Sequence, residues 1–243
     1  MQYTLYVKAN RGIEPRLHCD CFFSGGRVSG SEIQGKAARV AQLDRDRLAA
    51  AALGIVDTQG VSGFTIRAVA EALGVTPMAL YRHVKDKAEL ATLVVDLANQ
   101  QHPLPTPTGN WRADLLAMAQ WNRAGAIAHP GVRELWRNFP VFTAELSRIS
   151  DRWISLWQQS GLSFEQAVLA AMMSNVAING LISEEEVYRG MEPPDDAALA
   201  RLPNLRLAFA IKPNPDEMFD FTVRSLIDGM HAHLLRAPMD AAG

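Results

Sequence analysis

Thr65-Ile66-Arg67-Ala68-Val69-Ala70-Glu71-Ala72-Leu73-Gly74-Val75-Thr76-Pro77-Met78-Ala79-Leu80-Tyr81-Arg82-His83-Val84 is the stretch that decides the fold. Thr65 is a helix-capping residue type, Phe64 ahead of it can staple to Val69, and Ile66, Val69, Ala70 and Leu73 recur at a helical period. That period stops at Gly74, where a left-handed cap suits glycine. Thr76 then recaps the chain, and Pro77 takes the first helical position, where its missing N–H costs nothing. Two short helices joined by so tight a turn make a helix-turn-helix, whose second helix typically lies in the major groove of DNA.

Helical phase sorts the second helix into two faces. Leu80 and Val84 point to the core, while Met78 and Arg82 lie roughly opposite on a wheel of about 100° per residue. Met78, Ala79 and Arg82 are therefore the candidates for base edges, and Tyr81 and His83 flank them as phosphate or sugar contacts. Thr76, at the start of that helix, joins the DNA-contact set. Asp86-x-x-Glu89 predicts a capping box for the next helix, leaving Lys87 in its first turn beside the DNA backbone. Each residue also has a plainer reading: Tyr81 as half-buried packing, His83 as a solvated histidine, Arg67 as an exposed helix residue and Thr65 as a cap alone.

Outward from this block, Leu48, Ala52, Ile55 and Val56 make an earlier helical stripe that ends at Gly60, and Leu90, Leu93, Val94 and Leu97 make a later one. Residues 1–42 show no sustained period and carry six Lys/Arg against three Asp/Glu, which reads as a poorly ordered tail, either a basic arm or sequence upstream of a start at Val28 or Val40. At the other side, residues 102–109 hold three prolines and a glycine and cannot continue a helix, so they mark a boundary. Beyond it the pattern predicts helices over Trp111 to about Ile127, a short element through Trp136, Val141 to Gln159, Phe164 to about Tyr188 and about Pro215 to Leu235. Residues 189–214 read as a long loop with one short helix. No strand alternation competes. The expectation is an all-α protein: a tail (1–42), a three-helix helix-turn-helix DNA-binding head (43–101) and a larger helical ligand-binding and dimerisation domain (110–238).

Composition excludes several classes. With 48% hydrophobic residues, 21% charged and a formal net charge of −2, the chain is neither wholly disordered nor a generic polyanion binder. Even residues 43–101 hold six Lys/Arg against seven Asp/Glu, but Arg67, Arg82, Lys85 and Lys87 face only Glu71 and Asp86 within the motif. A local patch with few phosphate contacts follows, each steepening the salt dependence of binding by about 0.9. His18, Cys19 and Cys21 lack a fourth ligand, and His231 and His233 point to different helix faces, so no metal is expected. Metalloprotease, nucleophile-elbow, Walker and dinucleotide motifs are missing, and Glu184-Glu185-Glu186 reads as a solvated helix end, so neither catalysis nor a cofactor is expected. Cys19 and Cys21, one residue apart, suit no disulfide framework, and no secretion pattern is read near the start, so a reducing cytoplasm is expected; the uncharged stretch Ala167–Ser183 is short and carries polar residues, which reads as a buried helix without membrane contact.

The block from Leu43 to Asp96 resembles the DNA-binding domain of TetR-family repressors. The matching residues are Gly60-x-x-Gly63-Phe64-Thr65, Arg67-x-Val69-Ala70-x-x-Leu73-Gly74-Val75 and Leu80-Tyr81-x-His83-Val84-x-x-Lys87-x-x-Leu90. The Tyr-x-His-Val variant, with a long Trp-containing C-terminal half, is similar to the tetracycline-repressor-like subgroup. The resemblance implies a homodimer built on a four-helix bundle, a small-molecule effector bound inside the C-terminal domain, and DNA contacts by Thr65, Arg67, Tyr81, His83 and Lys87. Pro77, Met78 and Ala79 depart from it, standing where polar base readers are expected.

For the effector, Asn122 shares the register of Leu115 and Met118 and points inward, as a pocket residue or as a satisfied buried amide. His102 and Asn138 stand behind it as candidates, and Trp136 offers a flat wall, although tryptophans in a helical domain also serve as core. The function expected is a ligand-responsive repressor of double-stranded operator DNA. The alternative is a helical small-molecule binding or sequestering protein with a vestigial DNA-binding head.

Overall fold

The computed structural model describes residues 43–192, 194–211 and 214–236; the expectations for residues 1–42 lie outside the described residues. Helix α1 (Arg45–Gly63) starts where the Asp44 carboxylate accepts the Arg47 N–H at 2.8 Å. It buries Leu48, Ala52, Leu53, Ile55 and Val56, then bends at Gly60, whose φ of 67° breaks the helix. Helix α2 (Ile66–Leu73) is capped by Thr65, whose hydroxyl accepts the Ala68 N–H at 3.0 Å. Gly74 ends it in the left-handed region, and the N–H groups of Gly74 and Val75 return to the carbonyls of Glu71 and Ala70.

Helix α3 (Pro77–Leu80) is shorter than its sequence pattern implies. From Tyr81 the chain tightens into turns: the N–H groups of Arg82 and His83 reach carbonyls three residues back, at Ala79 and Leu80. Leu80 and Val84 remain buried all the same, in one core with Phe64, Val69, Leu90 and Val94. Thr76 caps α3 by position only, because its side chain makes no capping hydrogen bond. Helix α4 (Lys87–Gln100) begins with Asp86 accepting the Glu89 N–H at 2.8 Å. The expected reciprocal bond is displaced: the Glu89 carboxylate accepts from Lys85 N–H, at 2.8 Å, and is drawn there by Arg45.

The linker is pinned rather than loose. Asp114, buried in the first turn of α5 (Trp111–Ala128), accepts the Thr108 N–H and hydroxyl at 2.9 and 2.8 Å and the Gly109 N–H at 3.3 Å. Burial alone would push its carboxyl pKa up, but these donors outweigh that and hold it below the usual carboxylate value. A pKa depressed by folding contributes stability that is present above the unfolded value, about 3.9, and is lost as pH falls through the folded value. Asp114→Asn is therefore expected to cost about 1 to 3 kcal/mol at pH 7, with the gap to wild type closing towards pH 3, as read from urea midpoints across that range. A gap that stays constant with pH would show that the charge is irrelevant.

After α5 come α6 (Pro130–Asn138), α7 (Ala144–Gln158), α8 (Phe164–Gly190), α9 (Asp196–Leu199), α10 (Pro203–Ala210) and α11 (Pro215–Arg236). The segment read as a loop with one short helix thus holds two. Helices α5, α7, α8 and α11 share a second core of Leu115, Met118, Trp153, Leu156, Trp157, Ile178, Phe219 and Ile227. Trp157 is fully buried and donates its indole N–H to Ser174 at 3.1 Å, satisfying both polar groups. Helix α8 is not buried all round: Ala167, Ala170, Ala171, Ser174, Ile178 and Ile182 face inward, while Leu169, Met172, Met173 and Val176 face out. Helix α6 belongs to the other core. Its Leu135 is fully buried among the residues of α1 and α4, so the linker does not separate the two halves cleanly.

Candidate functional site

The DNA-facing candidates lie on the outer surface of α2, α3 and the turn behind it. Thr65, Arg67, Thr76 and Arg82 are exposed, with Met78 72% and Tyr81 48% accessible; Ala79, His83 and Lys87 are half-buried. The turn is held from behind by Arg45. Its guanidinium donates to the His83 carbonyl at 3.1 Å and to Glu89 at 2.6 Å, tying the end of α3 and the start of α4 to α1. The Lys85 N–H and Arg45 together hold the Glu89 carboxyl below its usual pKa, so this clasp stays charged at neutral pH. Lys87 is also anchored, its ammonium 5.2 Å from the ring centres of both Phe64 and Phe139. Phe139 follows α6, so this lysine links the N-terminal end of α4 to the segment that ends α6.

A pocket of about 70 Å³ opens where α4, α5 and α6 meet. His102 and Asn122 both line it, as do Trp121, His129 and Arg133. The His102 carbonyl accepts the Trp121 indole N–H at 2.9 Å, and its ring lies against Gly125, where an added Cβ would meet Cδ2 at 4.0 Å. His129 reaches both halves of the molecule: Nδ1 lies 2.8 Å from Asp57 of α1, and Nε2 lies 3.0 Å from the Gln101 side chain at the end of α4. Arg133 donates through Nη2 to the Asn179 carbonyl and the Ser183 hydroxyl, at 2.7 and 2.9 Å. Burial lowers its pKa, Glu186 opposes that shift, and Arg137 adds to it.

Trp136 and Asn138 are not in this pocket. Helix α6 turns Leu135 onto the head, which leaves Trp136 on the outside, donating to the Val141 carbonyl at 3.2 Å. Asn138, at the helix end, bonds back to the Glu134 carbonyl at 2.9 Å, so its amide is satisfied within its own helix. Sequence reasoning missed His129 and Arg133. The break at His129-Pro130-Gly131 carried a signal, since it places an imidazole at the N-terminal end of α6 beside the linker.

The Glu184-Glu185-Glu186 run also departs from a solvated helix end. Arg123 of α5 makes a bidentate pair with Glu185 at 2.7 and 2.8 Å and reaches Asp216 of α11 at 2.7 Å, while Arg189 joins Glu185 at 2.8 Å. The hydrogen bond to Glu185 is the largest cause raising the Arg123 pKa. This network ties together three helices of the second core. Its carboxylates, Glu185 and Asp216, are committed to arginines.

Residues 48–94 match the family profile of bacterial regulatory proteins of the tetR family, and residues 102–234 match the tetracyclin-repressor-like C-terminal domain. The repressor DrrR1 of Streptomyces coeruleorubidus is 27% identical over 208 residues, covering 77% of each chain. Among solved structures, ActR of Streptomyces coelicolor in complex with actinorhodin superposes with a TM-score of 0.66 at 22% identity, covering 82% of this chain and all of that one. BioQ with its double-stranded DNA operator gives 0.60 at 23% identity, covering 79% of this chain and all of BioQ. The two profile matches run through both the DNA-facing head and the helices that form the pocket, and the chain belongs to the tetR family of bacterial regulatory proteins.

Proposed function

We propose that the protein is a homodimeric transcriptional repressor that holds operator DNA through the heads of its two copies and is released by a small molecule bound at the α4–α5–α6 junction. Residues 43–101 form the head and 110–238 the effector-binding and dimerisation part. Thr65, Arg67, Thr76, Met78, Ala79, Tyr81, Arg82, His83 and Lys87 make the DNA contacts, and His102 and Asn122 line the effector site. The observation that carries this reading is the position of the pocket: α4 is one of its walls, and the other end of α4 anchors the turn that follows α3. A ligand that favours a shifted α4 moves the heads without touching DNA, and operator DNA must then weaken that ligand by the same factor.

Two heads engage one duplex when they are separated by about 34 to 36 Å or a multiple of it. The outward residues of α8 and the exposed Met218 and Phe221 of α11 provide the apolar surface that pairs the copies. Arg82→Ala is expected to relax preference at particular base pairs by about 1 to 3 kcal/mol, whereas Tyr81→Ala or Lys87→Ala weakens all sequences alike. Titrating each folded variant against operator and scrambled duplex checks this. Unchanged operator affinity in all three contradicts the assignment and favours a ligand-sequestering protein instead.

A further inference from the structure

We propose that the junction pocket is built for the carboxylate of a small monoacid, with His102 and Arg133 as its anchors. This rests on the reading of that pocket as the effector site and names what the site selects. Two buried polar atoms of the lining residues make no hydrogen bond: His102 Nε2 and Arg133 Nη1. Buried polar atoms left without hydrogen bonds are costly, and a ligand that supplies acceptors to both completes this lining. A carboxylate supplies two oxygens with lone pairs for both groups, His102 donating when its proton is on Nε2 and Arg133 from its guanidinium.

Charge selects an anion over a neutral acceptor. The lining holds an arginine and two histidines and no Asp or Glu. The acids outside the lining reach it only partly: Asp57 faces His129 at 2.8 Å, and Glu186 pairs with Arg133 Nη1 at 3.6 Å, beyond hydrogen-bond reach, its own Oε1 likewise without a hydrogen bond. Arg137, which also reaches Ser183, adds positive potential beside Arg133. The partial compensation by Glu186 matches a monoanion rather than a dianion. Size points the same way, because about 70 Å³ is far below the several hundred Å³ of a drug-sized site. Trp121 and Val132 provide apolar wall for a short stem behind the carboxylate.

The test compares acids with their uncharged isosteres on the full-length protein. Propionate and benzoate, and then propionamide and benzamide, are titrated while the indole N–H resonance of Trp121 is followed, assigned by its loss in Trp121→Phe. Each acid is expected to bind about tenfold or more tightly than its amide, as a charge-assisted bond requires. Arg133→Gln is expected to erase that preference, bringing each acid down to the affinity of its amide, and Gly125→Leu, which fills the pocket from α5, to block both classes. Equal affinity for acid and amide overturns the carboxylate inference and leaves the pocket as an effector site. If neither class moves the Trp121 signal, while another compound releases the operator with Gly125→Leu as readily as with wild type, the site itself is misplaced. Because the acid and amide comparison is made on wild type, it holds even if Arg133→Gln fails to fold through loss of its bonds to Asn179 and Ser183.

Discussion

Gly131→Ala is expected to lower stability and to loosen operator binding at least tenfold, although alanine is the better helix former. A Cβ at Gly131 would sit 2.6 Å from the Val56 carbonyl oxygen and 2.7 Å from Val56 Cγ1. One of the two close atoms is backbone, so no side-chain rotation relieves the contact and α1 must part from α6. In an open helix the same change would gain up to about 1 kcal/mol. Here overpacking costs about 1 to 3 kcal/mol and also shifts the helix on which the head rests. Urea midpoints and operator titration on the same preparation measure both effects. A variant as stable as wild type, with unchanged operator affinity, would show that the α1–α6 contact transmits nothing.

Val176→Glu, or Phe221→Asp, is expected to dissociate the dimer and remove operator binding while leaving the monomer folded. Val176 is 69% and Phe221 74% exposed in the single chain, so neither change disturbs its own core. In a two-fold interface each substitution appears twice, and an uncompensated charge buried there costs about 3 to 5 kcal/mol. Dissociation constants should rise by more than about a hundredfold, as sedimentation equilibrium reads directly. Ala171→Glu is unsuitable for this purpose. The apolar girth of α8 in sequence suggests Ala171 as an interface residue, but Ala171 is buried within its own chain, so the charge would unfold the monomer first. A monomeric wild type with full operator affinity removes the basis for the interface.

The contrast between Ala171 and Val176 shows what sequence patterning carries and what it does not. Local rules worked where the physics is local. Thr65 and Gly74 cap α2 because a hydroxyl acceptor and a positive φ are needed within a few residues of chain, and the phase of Leu80 and Val84 survives even though α3 is only one turn long. Periodicity shows that a helix is apolar on many sides but not which side its own chain covers. The pocket was half legible. Asn122 is readable from its register, with His102 behind it as a further candidate, whereas Arg133 and His129 depend on how α6 crosses onto the head, a long-range packing choice that no local period encodes. Trp136 lies outside this pocket for the same reason: Leu135 takes the buried position one residue earlier.

The central claim, that two copies read a two-fold DNA site through the surface around α3, is tested most directly by selecting binding sites for the full-length protein from random duplex DNA and measuring the stoichiometry of the complex. The account predicts an enriched sequence with two inverted half-sites whose centres lie about 10 base pairs or a multiple apart, bound by two chains. Enrichment of no sequence, or of a single half-site held at full affinity by one chain, would contradict it.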